Sequence, residues 1–172
     1  ILNDFVLAVL DLMASGHLSR ALIVDCDVHQ GNGTASMLAD VPEITTFSMH
    51  GASNYPLHKE VSDVDVPLPD GTDDDVYLSL LNEHLDRLLN PADPLPDLVL
   101  YQCGVDVLAT DKLGKLALSI GGCMERDRVV FDRCAGLGIP VVCAMGGGYS
   151  PNVNTVVKAH VNTFRAALDA WI

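Results

Sequence analysis

Four short, nearly continuous apolar runs alternate with longer segments of helical periodicity, and this alternation constrains the fold more than any other feature. The runs are residues 20–25, 44–49, 97–102 and 139–145. Strands that are apolar along their whole length are usually buried on both faces. When such strands alternate with helices, they form a parallel sheet with helices on both faces. The sequence therefore predicts an α/β fold with three layers.

Apolar residues at helical spacing predict five helices around these strands. The predicted helices are residues 2–13, 34–39, 73–89, 119–135 and 152–171. A long loop covers residues 50–73, with a short extended piece near residues 61–66. Loops of this length inside a compact domain are usually functional. The order of the elements, without internal repeats, predicts a single domain over residues 1–172.

Composition and charge exclude several classes of protein. The chain has 172 residues, of which 49% are hydrophobic and 19% charged, so it does not have the composition of a disordered protein. Its 10 basic and 23 acidic side chains give a net charge of −13, which argues against direct binding to nucleic acid and favours cationic ligands. No apolar run reaches the roughly 18 residues that a membrane span needs. We expect a cytoplasmic protein without membrane contacts, or a nuclear one if the source is eukaryotic.

Polar residues and glycines follow every predicted strand at its carboxyl end. The first strand continues into residues 25–33 (DCDVHQGNG), the second into residues 48–51, the third into residues 103–106 and the fourth into residues 146–149. Ligands of open α/β sheets bind at the carboxyl ends of the strands. The sequence therefore predicts a functional site at this edge of the sheet.

Asp25, Asp27 and His29 alternate along the chain, so in extended backbone their side chains project to the same side. An Asp-x-His pair with one carboxylate from a neighbouring strand end matches a zinc site with three protein ligands and an open position for water. Asp106, which follows the third strand, is the best candidate for the third ligand. The alternative is that these aspartates cap turns or helices and that His29 makes an ordinary hydrogen bond.

The glycines at 146–148 permit close approach of the backbone to a ligand, and Tyr149 follows them at the sheet edge. A tyrosine hydroxyl there would donate a hydrogen bond to a developing oxyanion. The alternatives are an aromatic side chain that packs the rim, or glycines that hold a phosphate. His50, Tyr55 and Pro56 in the long loop would either line a substrate channel or pack the loop.

Four segments together resemble the zinc-dependent histone deacetylase family, especially its bacterial and class IV-like members. They are DCDVHQGNGT (25–34), TFSMHGASNYP (46–56), YQCGVDVLATDKLG (101–114) and MGGGYS (145–150). The resemblance implies the arginase/deacetylase-like fold with its eight-stranded parallel sheet. It also implies hydrolysis of N-acetyl-lysine or a related N-acyl amide with a bound Zn²⁺. The substrate would be an acetylated lysine of a protein or an acetylated small amine.

The resemblance also assigns roles to individual residues. Asp27, His29 and Asp106 match the family's zinc ligands, and Tyr149 matches its catalytic tyrosine.

A structural potassium ion and a substrate tunnel are implied in the same way. Asp25 and Ser48 match potassium ligands. The walls of the acyl-lysine tunnel match Tyr55, Gly104, Gly147 and Gly148.

The sequence departs from the family at its start. The family's tandem histidine pair, which serves as general base and acid, lies upstream of the segment that residues 1–4 resemble, and it is absent from this sequence. The four predicted strands are about half of the family's sheet. We therefore expect the C-terminal part of a deacetylase domain, inactive on its own. The alternative is a non-catalytic remnant that is stabilised by a metal or binds acyl-lysine.

Overall fold

Five parallel strands form the central sheet in a computed structural model that describes residues 2–172; Ile1 lies outside the described residues. The strands are β1 (Ala21–Asp25), β2 (Ile44–Gly51), β3 (Val64–Leu68), β4 (Leu98–Gln102) and β5 (Val141–Ala144). Their order across the sheet is β3-β2-β1-β4-β5, which puts β1 at the centre. The predicted parallel α/β sheet is confirmed, with one more strand than expected.

The additional strand is β3, where the sequence indicated only an extended piece near residues 61–66. It pairs with β2 at the sheet edge, with Val64 opposite Phe47. Asp65 and Pro67 interrupt its apolar pattern, which explains why the strand was missed. An edge strand accepts a proline because one of its sides needs no hydrogen-bond partner.

Five helices flank the sheet: α1 (Asp4–Ala14), α2 (Asn32–Leu38), α3 (Asp74–Leu88), α4 (Ile120–Leu137) and α5 (Val153–Trp171). The side chains of Asp73 and Ser119 cap the first turns of α3 and α4 by accepting backbone N–H bonds. Helix α4 ends at Gly138, whose φ of 69° is the left-handed conformation that glycine favours. Within residues 2–172, no helix combines the length and apolarity needed to cross a membrane.

Alternate residues of β1 face two separate hydrophobic cores, as the period of a strand requires. Leu22 and Val24 belong to the core that is shared with α3, α4 and α5. Ala21 and Ile23 belong to the core that is shared with α1 and α2. The three-layer arrangement is therefore present, and β1 is buried on both faces.

The strand register brings the carboxyl ends of the three central strands to the same level. Asp25, the last residue of β1, lies opposite Ser48 of β2 and Gln102 of β4. The polar segments that follow these strands consequently meet at one edge of the sheet.

Candidate metal centre

Three potential metal ligands converge at this edge. Asp27 and His29 lie in the loop after β1, and Asp106 lies in the loop after β4; one ligand atom from each lies within 4.8 Å of the others. Nδ1 of His29 is 2.9 Å from Oδ1 of Asp27 and 3.2 Å from Oδ2 of Asp106. The three side chains that the sequence singled out as ligands therefore form one cluster.

The loop after β1 is shaped by carboxylates that accept backbone N–H bonds. Asp25 Oδ1 accepts from the N–H of Asp27 at 3.0 Å, and Asp27 Oδ1 accepts from the N–H of His29 at 2.9 Å. Asp106 Oδ1 accepts from the N–H of Val28 at 3.0 Å and so joins the two loops. The aspartates thus shape turns, as the alternative reading of the sequence proposed. They also direct their carboxylates toward one point.

The donor set fits a divalent metal ion. Asp106 is completely buried, and its Oδ2 accepts no well-aligned hydrogen bond among the described residues, although Nδ1 of His29 lies 3.2 Å away. A buried carboxylate oxygen with such poor hydrogen bonding is costly, and a cation would satisfy it. Two carboxylates and one imidazole are ligands that Zn²⁺ accepts, with a fourth position left open for water.

Several ionisable side chains in and beside the cluster bind protons more tightly than they ordinarily do. The carboxylates of Asp106 and Asp27, which lie close to its ring, raise the pKa of His29 to about 10. Burial raises the pKa of Asp106, and burial together with the negative charge of Asp27 raises the pKa of Asp25. A metal ion would replace the proton that His29 shares with the carboxylates.

The residues matched to potassium ligands lie behind the cluster, on adjacent strands. Asp25 and Ser48 are register partners, and Ser48 is buried. Ser48 Oγ lies 3.0 Å from Nδ1 of His50. His50 is only 1% exposed, so it packs inside the protein and does not line a channel.

A cavity of about 500 Å³ opens in front of the cluster. Its lining residues are His29, Ser53, Asn54, Tyr55, Leu113, Lys115 and Tyr149. Tyr149 is half exposed, and partial burial together with the negative charges of Asp106 and Asp27 raises the pKa of its hydroxyl. The hydroxyl is therefore protonated at neutral pH and able to donate a hydrogen bond.

The backbone of Tyr149 is held by Asp111, which the sequence analysis did not identify. Oδ2 of Asp111 accepts from the N–H of Tyr149 at 2.6 Å. Its Oδ1 accepts from the N–H groups of Leu113 and Gly114 at 2.8 and 2.9 Å. The Asp-x-x-Gly spacing is a turn signal that could have drawn attention to Asp111.

The three glycines matched to tunnel walls are not among the residues that line this cavity, and two of them, Gly104 and Gly147, pack against the carboxylates of the cluster. A Cβ on Gly104 would overlap the carboxylate of Asp27 and lie 2.9 Å from its Cα. A Cβ on Gly147, where φ is 52°, would overlap the carboxylate of Asp106. Gly148 has a φ of 105°, which other residues rarely adopt. Gly104 and Gly147 thus allow the backbone to approach the carboxylates of Asp27 and Asp106 closely.

A buried charged pair on α4, Arg126 and Asp127, was also missed. Both side chains are completely buried, and Arg126 donates to backbone carbonyls of the loops after β1 and β4. The signal was present: helical spacing from Cys123 to Val130 puts both charges on the apolar face of α4.

Comparisons with known sequences agree with this geometry. The histone deacetylase domain family matches residues 1–164. An uncharacterized protein of Picosynechococcus sp. is 46% identical over 99% of this chain and 56% of its own length. Histone deacetylase 2 of Arabidopsis thaliana is 34% identical over 81% of this chain and 36% of its own length. The chain thus spans little more than half of the cyanobacterial relative and about a third of the plant one.

Solved structures share the fold. The acetylpolyamine aminohydrolase of Burkholderia pseudomallei superposes with a TM-score of 0.79 at 22% identity, over 99% of this chain and 50% of that protein. A histone deacetylase homologue of Aquifex aeolicus has a TM-score of 0.75 at 22% identity, over 92% of this chain and 44% of that protein. Together with the domain match, the fold and the sequence relatives show that the chain belongs to the histone deacetylase family.

Proposed function

We propose that residues 1–172 form part of one zinc-dependent deacetylase domain that hydrolyses N-acetyl-lysine or a related N-acetylated amine. The observation that carries the proposal is the convergence of Asp27, His29 and Asp106, where the buried Oδ2 of Asp106 accepts no well-aligned hydrogen bond among the described residues. The cavity in front of this cluster is lined by both His29 and Tyr149.

Each residue of the site has a distinct part in the proposed reaction. Asp27, His29 and Asp106 hold the metal, and a bound Zn²⁺ lowers the pKa of water and polarises a carbonyl. Tyr149 donates its hydroxyl proton in a hydrogen bond to the amide oxygen as that oxygen becomes negative. Asp25 and Ser48 would hold a structural potassium ion behind the zinc loop, where neighbouring strands bring them together.

Two substrate classes are compatible with the cavity, acetyl-lysine in a protein and an acetylated small amine. The net charge of −13 attracts cationic molecules of both classes. One relative is named a histone deacetylase, and one structural neighbour is an acetylpolyamine aminohydrolase.

A second candidate function is binding of acyl-lysine without turnover. Hydrolysis needs a general base, and His29 is the only histidine among the described residues that line the two cavities beside the metal ligands. No general base is therefore assigned within residues 2–172. Release of acetate distinguishes hydrolysis from simple binding.

The test uses the full-length protein with an acetyl-lysine peptide and an N-acetylated polyamine as substrates. Acetate release should stop when zinc is removed with a chelator and return when zinc is restored. Asp106→Asn keeps an oxygen for the Val28 N–H but removes the negative charge, so zinc affinity should fall more than about 100-fold, beyond the usual effect of a residue that only supports a ligand.

Asp97→Asn is the matched control. Asp97 also accepts backbone N–H bonds, from Ser19 and Arg20 at 2.8 and 2.9 Å, but it lies at the opposite end of the sheet. Zinc affinity should be unchanged in this variant. Acetate release that survives both chelation and Asp106→Asn would contradict the proposed function. Binding of the peptide without acetate release would favour the second candidate.

A further inference from the structure

We propose that Arg126 is a positioning residue for the metal centre, and that its guanidinium sets the spacing between the loops that carry Asp27 and Asp106. The inference rests on the proposed function only in that the cluster must bind a metal ion.

Arg126 joins the two loops through a single nitrogen. Its Nη1 donates to the carbonyl of Cys26 at 3.1 Å and to the carbonyl of Gly104 at 2.6 Å. Cys26 directly precedes Asp27, and Gly104 lies two residues before Asp106. A shift of the guanidinium would therefore move the backbone next to both metal ligands.

The two loops are in close contact at this point. The N–H of Cys26 donates to the carbonyl of Gln102 at 3.0 Å, which extends the pairing of β1 and β4 by one residue. Gly104 packs so tightly against Asp27 that any side chain there would clash. Arg126 therefore acts where the loops are nearest and where a small change in spacing would displace the carboxylate of Asp27.

The guanidinium is held by the neighbouring Asp127, whose carboxylate is in turn fixed by side chains of β4 and α5. Nε and Nη2 of Arg126 donate to Oδ1 of Asp127 at 2.9 and 2.8 Å. Tyr101 of β4 donates to the same oxygen at 2.6 Å, and Thr163 of α5 donates to Oδ2 at 2.6 Å. All of these side chains are buried, so the pair has little freedom to move.

Stability alone gives a weak reason for this arrangement. The desolvation of a buried ion pair offsets much of its attraction, and apolar residues of similar volume often stabilise a protein as well or better. Groups that hold metal ligands in place, by contrast, commonly change metal affinity by about 10- to 100-fold when they are removed.

Two variants of the full-length protein test the proposal. Arg126→Lys keeps the positive charge beside Asp127 but lacks the planar fork that reaches both carbonyls and the carboxylate. Arg126→Met combined with Asp127→Asn removes the ion pair and leaves no unpaired buried charge. Arg133→Met is the control, because Arg133 lies on the same helix, is only partly buried, and pairs with Asp86 and Asn82 far from the cluster.

The measurements are Zn²⁺ affinity by competition with a chelator, the visible spectrum of the Co²⁺-loaded protein, and the midpoint of thermal unfolding. Both Arg126 variants should unfold cooperatively, bind Zn²⁺ about 10- to 100-fold more weakly, and change the Co²⁺ spectrum. Arg133→Met should leave Zn²⁺ affinity and the spectrum as in the wild type.

Wild-type Zn²⁺ affinity and an unchanged Co²⁺ spectrum in either folded variant would overturn the proposal. Failure of both variants to fold would also overturn it, because Arg126 would then stabilise the core and have no specific role at the site. A wild-type protein that binds zinc but releases no acetate would refute the proposed function and leave the Arg126 result valid. A wild-type protein that binds no zinc would refute both.

Discussion

The backbone N–H of Tyr149 donates to Oδ2 of Asp111 at 2.6 Å, although the two residues are 38 positions apart in the chain. This bond ties the end of the glycine segment to the turn that follows Asp106. The position of the Tyr149 hydroxyl consequently depends on the carboxylate of Asp111, which does not line the cavity.

Replacement of Asp111 by alanine should lower kcat for acetyl-lysine hydrolysis by about 10²-fold, the cost of displacing a catalytic group by about 1 Å. The reason is the loss of three N–H bonds that hold Tyr149 and the turn at 111–114. Steady-state kinetics of the full-length protein checks this. Asp70→Ala, at an exposed aspartate near the same rim, is the control and should stay within about threefold of the wild type. A similarly small effect in Asp111→Ala would show that Tyr149 needs no such support.

Tyr149→Phe should reduce kcat by about 10²- to 10³-fold, with a much smaller change in KM. In the proposed reaction the hydroxyl stabilises an oxyanion that forms along the reaction path and is absent from the bound substrate, so its loss should lower turnover and largely spare binding. Zinc content should be unchanged. Tyr55→Phe is the matched control, because Tyr55 lines the same cavity, is 71% exposed, and is expected to contribute its ring. Equal kcat values for the two variants would show that Tyr149, like Tyr55, only lines the cavity.

Metal-free protein should become less stable as the pH rises from about 6.5 toward 10. His29 has a folded pKa of about 10 against an ordinary value of 6.5, so the folded state binds this proton more tightly than the unfolded state. Its contribution to stability is complete below pH 6.5 and is lost as the pH rises through the folded pKa. The raised pKa values of Asp25 and Asp106 also make the folded state less stable as the pH rises, and their effect begins at a lower pH than that of His29.

Zinc should reverse this trend, because the metal competes with the proton on His29 and binds more tightly as the pH rises. Urea unfolding between about pH 6.5 and 9, with chelator or with zinc, measures both effects. His29→Gln should flatten the dependence in the metal-free protein. A metal-free protein whose unfolding free energy rises over this range would contradict the interpretation.

Potassium should stabilise the protein through Asp25 and Ser48. The unfolding midpoint should be higher in potassium chloride than in tetramethylammonium chloride at equal ionic strength, by about 2–4 °C for each kcal/mol of binding free energy. The large organic cation cannot enter a buried site of this kind. The difference should shrink in Ser48→Ala. Identical midpoints in the two salts for the wild-type protein would exclude a structural potassium ion.

Local patterns predicted most of the architecture. The apolar runs identified four of the five strands, and helical spacing identified all five helices to within a few residues at their ends. Such features depend on which faces are buried and on which residues cap a helix, and both are encoded within a few neighbouring positions. The pairing of Asp27 with His29 is local in the same sense, because the two residues are close in the sequence and lie on one loop.

The sequence by itself therefore determined the α/β class, pointed to the carboxyl edge of the sheet as the candidate site, and supplied the residue types that would bind a metal there. Only the tertiary structure decided which distant groups support them. Val28 meets Asp106 across 78 positions, and Arg126 reaches Cys26 across 100. These contacts depend on strand register and on how α4 packs against the sheet. They are set by the whole folded chain, so no short segment of the sequence contains them.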